Sequence, residues 1–139
     1  MPSALSQRRR FRSREVNVNN AEMSAREMLE LAAKVAVIET RPEYCKMEPG
    51  YGLNLSPGYY WNPLERNADA FSLAIRLGLD VDIHNVALRG HRDRYVEVRG
   101  FANRKLLWHQ LVGECESMEA FTRLAIVRAA IEMGRTMNQ

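Results

Sequence analysis

A change of hydrophobic period near the middle of the chain constrains the fold more than any other feature. Across residues 67–77 the apolar side chains recur at helical spacing, and Gly78 follows as a helix stop. Residues 79–84, with the sequence LDVDIH, then alternate strictly between apolar and polar side chains. Because successive side chains of a strand point to opposite faces, this alternation predicts a strand with one buried and one solvated face.

The helix over 67–77 carries its own start signals and a broad apolar face. Asn67 is a good N-cap residue, and Asp69 complements the positive end of the helix dipole. We expect five of its side chains to face the core: Ala70, Phe71, Ala74, Ile75 and Leu77.

Comparable signals elsewhere complete the predicted set of elements. Ser24 and Glu27 have capping-box spacing, and the apolar stripe behind them predicts a first helix that fades near Ile38. A last helix is predicted from about Ser117 to Gly134. Short strands are predicted at 51–55 and 58–61, and two more are expected at 95–98 and 106–112, after a turn at 89–93. We therefore expect an α+β fold: an antiparallel sheet of three or more strands packed with about three helices, in an αβ-sandwich-like arrangement.

The net positive charge of the chain arises entirely from its first 22 residues. Five arginines there outweigh two glutamates, whereas the remaining 117 residues hold 15 basic and 15 acidic side chains. With few large apolar side chains, residues 1–22 are expected to form a basic flexible arm, and residues 23–139 a single α+β domain. Met23 stands directly before the first helix, so the arm is either a functional extension or sequence upstream of the natural start. Both interpretations stay open.

Features that would place the chain in a membrane or outside the cell are not found in the sequence. No stretch approaches the ~20 apolar residues that span a bilayer, and no apolar run follows the basic N-terminus. Cys45 and Cys115 match no metal-binding spacing. We expect both to be free thiols in a reducing cytoplasm, and a disulfide between them is the alternative.

The strongest candidates for chemistry are Asp80, Asp82 and His84, which the alternation places on one face of the predicted strand. His91 and Asp93 could approach from the following turn, and carboxylates with imidazole could hold a divalent metal. The alternative is that a solvated strand face simply carries polar side chains, and we favour it. We predict no catalytic residue, no metal and no cofactor, and keep a metal-dependent enzyme as a second alternative function.

Aromatic side chains and arginines suggest a recognition surface instead. Trp61 is expected to pack on the core, whereas its tyrosine neighbours stand among glycines and prolines. Tyrosine and arginine are over-represented at binding hot spots. The predicted partner-binding residues are Tyr51, Tyr59, Tyr60, Arg89, Arg92 and Arg94.

Nucleic-acid binding is the first alternative, because basic and aromatic side chains together can follow a phosphate backbone and stack on bases. The body of the chain is electrically neutral, which argues against this function. The residues that would carry it are those of the arm and of the basic segment 89–105: Arg8, Arg9, Arg10, Arg12, Arg99, Arg104 and Lys105.

Three segments resemble a group of small bacteriophage-encoded proteins, the NinX-like or phage ABA-sandwich group. They are EMLELAAK at 27–34, YWNPL at 60–64 with Asp69 and Ala70, and AIVRAA at 125–130. The resemblance covers most of residues 24–134, while the arm and residues 105–112 are not features of that group. It implies a phage or mobile-element origin. Our functional prediction is a non-enzymatic inhibitor in the bacterial cytoplasm that binds a host machine such as a CRISPR-type ribonucleoprotein defence complex.

Overall fold

The computed structural model describes residues 23–38, 47–48, 52–56, 58–85 and 94–137, so the predicted arm lies outside the described residues. The described strands form two antiparallel three-stranded sheets, ordered β1-β2-β3 and β4-β5-β6. Together with three helices in the same residues, they confirm the predicted α+β class. In chain order the elements are α1 (Ala25–Val35), β1 (Met47–Glu48), β2 (Gly52–Ser56), β3 (Tyr59–Trp61), α2 (Asn67–Leu77), β4 (Leu79–Asn85), β5 (Arg94–Gly100), β6 (Leu106–Leu111) and α3 (Met118–Met137).

The first helix begins as the sequence predicts. The Ser24 hydroxyl accepts a hydrogen bond from Glu27 N at 3.1 Å, and the Glu27 carboxylate accepts one from Ser24 N at 2.9 Å. This reciprocal capping satisfies two backbone donors that a helix start leaves open. The helix ends at Val35, three residues before the expected Ile38.

The second helix starts one residue away from the predicted cap. Arg66, not Asn67, is the N-cap residue, and its side chain makes no capping bond. The Asn67 side chain instead accepts a hydrogen bond of 2.6 Å from Arg123 of α3. Asn67, which its residue type suits for the N-cap, therefore makes a tertiary contact with α3 instead. The predicted stop is confirmed, because Gly78 lies in the left-handed region with φ of 65°.

The last helix extends beyond its predicted stop and runs through Gly134 to Met137. This glycine serves packing, because α1 approaches α3 closely at this point. A Cβ added to Gly134 would overlap the Cγ2 atom of Val35. Gly134 therefore marks the place where α1 crosses α3, and not the end of α3 that the sequence predicted.

Trp61 packs in the main core with an exposed fraction of 3%, as the sequence predicts. This core lies between the first sheet and all three helices, and it includes Leu29, Leu73 and Val127. Gly52 is required nearby, because its φ is 111° and a side chain there would collide with the backbone of Trp61. None of the helices in the described residues is long and apolar enough to cross a membrane.

The second sheet has the two unlike faces that the alternation in 79–84 predicts. On its inner face Val81 pairs with Val98 and Ile83 with Val96. Both β5 valines are fully buried and belong to a cluster that includes Ala125 of α3. Asp80, Asp82 and His84 occupy the outer face.

Candidate functional site

An open apolar groove of about 600 Å³ lies between α2, β4 and α3. Four of its large apolar side chains are unusually exposed: Phe71 (67%), Ile75 (63%), Ile83 (52%) and Phe101 (70%). The groove is also lined by Leu79 and Val81 of β4, and by Met118 and Ile126 of α3. Small proteins seldom gather so many exposed large apolar side chains at one place unless something binds there.

The groove exists because the helices leave the inner face of β4 partly uncovered. Gly78 joins α2 directly to β4, and its carbonyl accepts a hydrogen bond of 3.0 Å from Phe101 N. This link holds the turn after β5 beside the end of α2. Ala125 and Ala129 of α3 pack over the centre of the sheet. Ile83 is consequently only half covered, although it points to the same side as the buried valines of β5.

The sequence placed Phe71 and Ile75 in the core, and that assignment is wrong. The buried side chains of α2 are Ala70, Leu73 and Ala74. Apolar residues span more than one face of this helix, so periodicity alone does not indicate which face is covered. The two faces lie side by side, and Phe71 and Ile75 occupy the open one.

The groove offers little acid–base chemistry. Among the described residues that line it, only Glu119 and Arg123 carry a titratable side chain. Arg123 donates hydrogen bonds to the Leu64 carbonyl at 2.9 Å and to Asn67 at 2.6 Å. This arrangement suits the binding of apolar side chains more than the activation of a nucleophile.

The residues predicted to form a metal or catalytic cluster are only partly brought together. Asp82 and His84 are 3.0 Å apart (Oδ2 to Nε2), whereas Asp80 pairs with Arg104 at 3.2 Å. Glu97 takes the third place, because the register sets it opposite Asp82. The ligand atoms of Asp82, His84 and Glu97 lie within 4.8 Å of one another. His91 and Asp93 lie outside the described residues.

Other side chains on the same face already engage Glu97. Its carboxylate lies 3.2 Å from Arg99 Nη2 and 3.2 Å from His109 Nδ1. The Tyr95 ring stacks on both His84 and His109, with centroids 4.2 and 5.0 Å away. The outer face is thus a network of ion pairs and stacked rings that ties three strands together. Sequence reasoning did not place Glu97 and His109 in this cluster, because the register across a hairpin cannot be read from alternation alone.

The predicted partner-binding residues are dispersed. Tyr59 is half exposed and lines a second cavity of about 520 Å³ with Val37 and Arg76. The guanidinium of Arg94 donates to the carbonyls of a loop before α3, at 2.6 Å to Gly113, 3.0 Å to Glu114 and 3.3 Å to Glu116. Tyr60 is half buried on β3. The others, Tyr51, Arg89 and Arg92, lie outside the described residues.

The residues named for nucleic-acid binding do not form an unpaired basic surface in the described part of the chain. Arg99 pairs with Glu97 and Arg104 with Asp80, and Lys105 is exposed. Arg8, Arg9, Arg10 and Arg12 lie outside the described residues. Cys115 is an exposed free thiol, and Cys45 also lies outside the described residues.

Comparisons with protein-family models, with curated proteins and with solved structures find no match to this chain. The resemblance to phage-encoded proteins and the host target that it implies therefore stay predictions.

Proposed function

We propose that the protein is a non-enzymatic binding protein that holds an apolar segment of a partner protein in the groove between α2, β4 and α3. One observation carries this proposal. Phe71, Ile75, Ile83 and Phe101 surround a single groove, and each is at least half exposed. Large apolar side chains gathered around a concave surface are typical of a binding site.

The two phenylalanines supply most of the available binding energy. An aromatic side chain presents roughly 200 Å² of surface, so covering the exposed two thirds of Phe71 removes about 130 Å² from water. At about 25 cal/mol per Å² this contributes about 3 kcal/mol before the costs of association. Phe101 is exposed to the same degree. Two such anchors are enough to make a hot spot.

The partner class follows from the phage resemblance. A small phage protein that works by contact alone would inhibit a host machine in the bacterial cytoplasm, and a CRISPR-type effector complex is the leading candidate. The groove supports contact with protein, because its lining is mainly apolar and its charged side chains are one glutamate and one arginine. Phosphate backbones are bound by unpaired basic side chains, and Arg99 and Arg104 are already paired with carboxylates.

The test is capture from nuclease-treated bacterial lysate, followed by purification of the captured protein and measurement of its affinity. The groove variant carries Phe71→Ala and Ile75→Ala. Both side chains lie on the exposed face of α2, and alanine favours the helix. We expect it to bind at least roughly a hundredfold more weakly, because one of the two phenylalanine anchors and the exposed isoleucine beside it are removed.

Leu111→Thr provides the matched control. Leu111 is 68% exposed, like Phe71, but it lies on β6 at the opposite edge of the sheet. The control should bind as the original chain does. Equal binding by the groove variant would refute the proposed function. No capture after nuclease treatment, together with capture from untreated lysate that is lost at moderate salt, would favour nucleic acid.

A further inference from the structure

One edge of β4 is unpaired within the described residues, because the sheet order is β4-β5-β6. The hydrogen bond from Phe101 N to the Gly78 carbonyl fixes which backbone groups face that edge. In an antiparallel ladder, hydrogen-bonded and non-hydrogen-bonded pairs alternate along the strands. Asp80, Asp82 and His84 therefore direct their N–H and C=O groups to β5. Leu79, Val81 and Ile83 direct theirs outward.

The residues with outward backbone groups also line the groove. The side chains of Leu79, Val81 and Ile83 all lie along its β4 wall. A strand laid against this edge would bond to the backbone of these residues. Every second side chain of that strand would then enter the groove beside Phe71 and Ile75. An extended segment can therefore pair with the β4 backbone and bury its apolar side chains in the groove at the same time.

The other side chains of the added strand would lie on the outer face of the sheet, where the acidic residues of β4 favour basic ones. Asp80 and Asp82 lie on that face of the edge strand, with side chains that are 38% and 59% exposed. In an antiparallel addition they would stand in non-hydrogen-bonded pairs, where opposing side chains come closest. Basic side chains complement them there. Arg104, which now pairs with Asp80, is 64% exposed and can swing away into solvent.

A second copy of the chain fits this edge poorly. Two β4 strands related by a two-fold axis overlap fully only when Asp82 faces Asp82 of the copy. Like charges directly opposite each other destabilise strand pairing. Acidic side chains on an edge strand commonly serve to prevent such self-association.

We propose that the partner segment binds by adding an antiparallel strand to the free edge of β4. Apolar side chains of this strand enter the groove, and lysine or arginine side chains alternate with them opposite Asp80 and Asp82. This inference rests on the proposed function and specifies the chemistry of the partner. It predicts a segment with alternating apolar and basic residues.

The probe is a synthetic seven-residue peptide, acetylated and amidated, in which lysine alternates with valine. It is titrated into the full-length chain while amide hydrogen exchange is followed by NMR. Exchange of the Val81 and Ile83 amides should slow at least roughly tenfold, because these groups gain hydrogen-bond partners. The Asp82 amide already bonds to β5 and serves as the internal control. A peptide with glutamate in place of lysine should bind roughly tenfold more weakly, or worse.

Two further comparisons separate strand addition from simple occupation of the groove. N-methylation of the valines removes the donors that pair with β4, so the modified peptide should not bind. The Asp80→Lys, Asp82→Lys double variant reverses the charge of two partly exposed side chains on the outer face and should prefer the glutamate peptide. Equal binding of the methylated peptide, unchanged exchange at Val81 and Ile83 on binding, or no binding of the lysine peptide would overturn strand addition. Loss of partner binding in the Phe71→Ala, Ile75→Ala variant would still support the proposed function.

Discussion

Arg94 was selected from the sequence as a partner contact, yet its interactions predict that it stabilises the fold. Its guanidinium donates to three backbone carbonyls of the loop over 113–116, and its Nε donates to Asn85 at 3.1 Å. The Arg94 carbonyl also accepts from Val112 N at 2.9 Å. This one residue therefore fixes the connection between β6 and α3.

Replacing Arg94 with alanine removes four charge-assisted hydrogen bonds, three to backbone carbonyls and one to the Asn85 side chain. Each such bond contributes about 1.5–3 kcal/mol when shielded from water. The carbonyls lie near the surface, where water can replace the lost donors, so we expect a total loss of about 2 kcal/mol. For a chain of this size that loss lowers Tm by roughly 6 °C. Arg94→Lys should recover only part of it, because an ammonium group cannot reproduce the planar fork.

Urea denaturation of the Arg94→Ala variant, with Tm as a second readout, measures this loss. Arg104→Ala is the matched control, because Arg104 is largely exposed and makes a single ion pair with Asp80. Surface pairs of this kind contribute at most about 1 kcal/mol. If the two variants are equally stable, the carbonyl contacts contribute nothing. Arg94 would then be available for the partner contact that the sequence suggested.

Three other predictions concern the helices and the arm. Gly134→Ala should destabilise the chain by about 1–3 kcal/mol in urea denaturation despite the helix preference of alanine, and Val35→Ala in the same chain should restore most of the loss. Hydrogen bonds from the backbone and side chain of Ser24 lower the pKa of Glu27 below 4.5, so its stabilising effect is present above that pH and is lost as the pH falls. Between pH 5 and pH 3 the original chain should therefore lose more stability than Glu27→Gln, and equal losses would refute the assignment. A chain that begins at Met23 should melt within roughly 5 °C of the full chain, and a larger drop would show that residues 1–22 are packed.

The elements that the sequence predicted correctly are those with local signals. The capping residues Ser24 and Glu27, the left-handed Gly78 and the alternation in 79–84 each act within a few residues of the chain. Local physical chemistry determines such features, so a single sequence contains them. The α+β class follows from their order along the chain.

The features that the sequence did not predict depend on contacts between distant elements. Whether Phe71 lies in the core or in an open groove depends on where α3 packs, and α3 is about fifty residues further along the chain. The pairing of Asp82 with Glu97 depends on the hairpin register. Asn67 is drawn from its capping role by Arg123, again from α3. Apolar and polar patterns record which residues prefer burial, but not which face another element covers.

The central claim is that the phenylalanines of the groove become buried when the partner binds, and fluorine NMR of the chain labelled with fluorophenylalanine tests it most directly. The sequence contains four phenylalanines, so the spectrum is simple. Phe71 and Phe101 line the groove, whereas Phe121 is half buried on α3 against the second-sheet cluster and serves as the internal reference. On binding, the Phe71 and Phe101 resonances should shift and lose their sensitivity to exchange of H₂O for D₂O, while Phe121 stays unchanged. If both groove resonances keep their solvent sensitivity in the saturated complex, the partner binds elsewhere and the account is wrong.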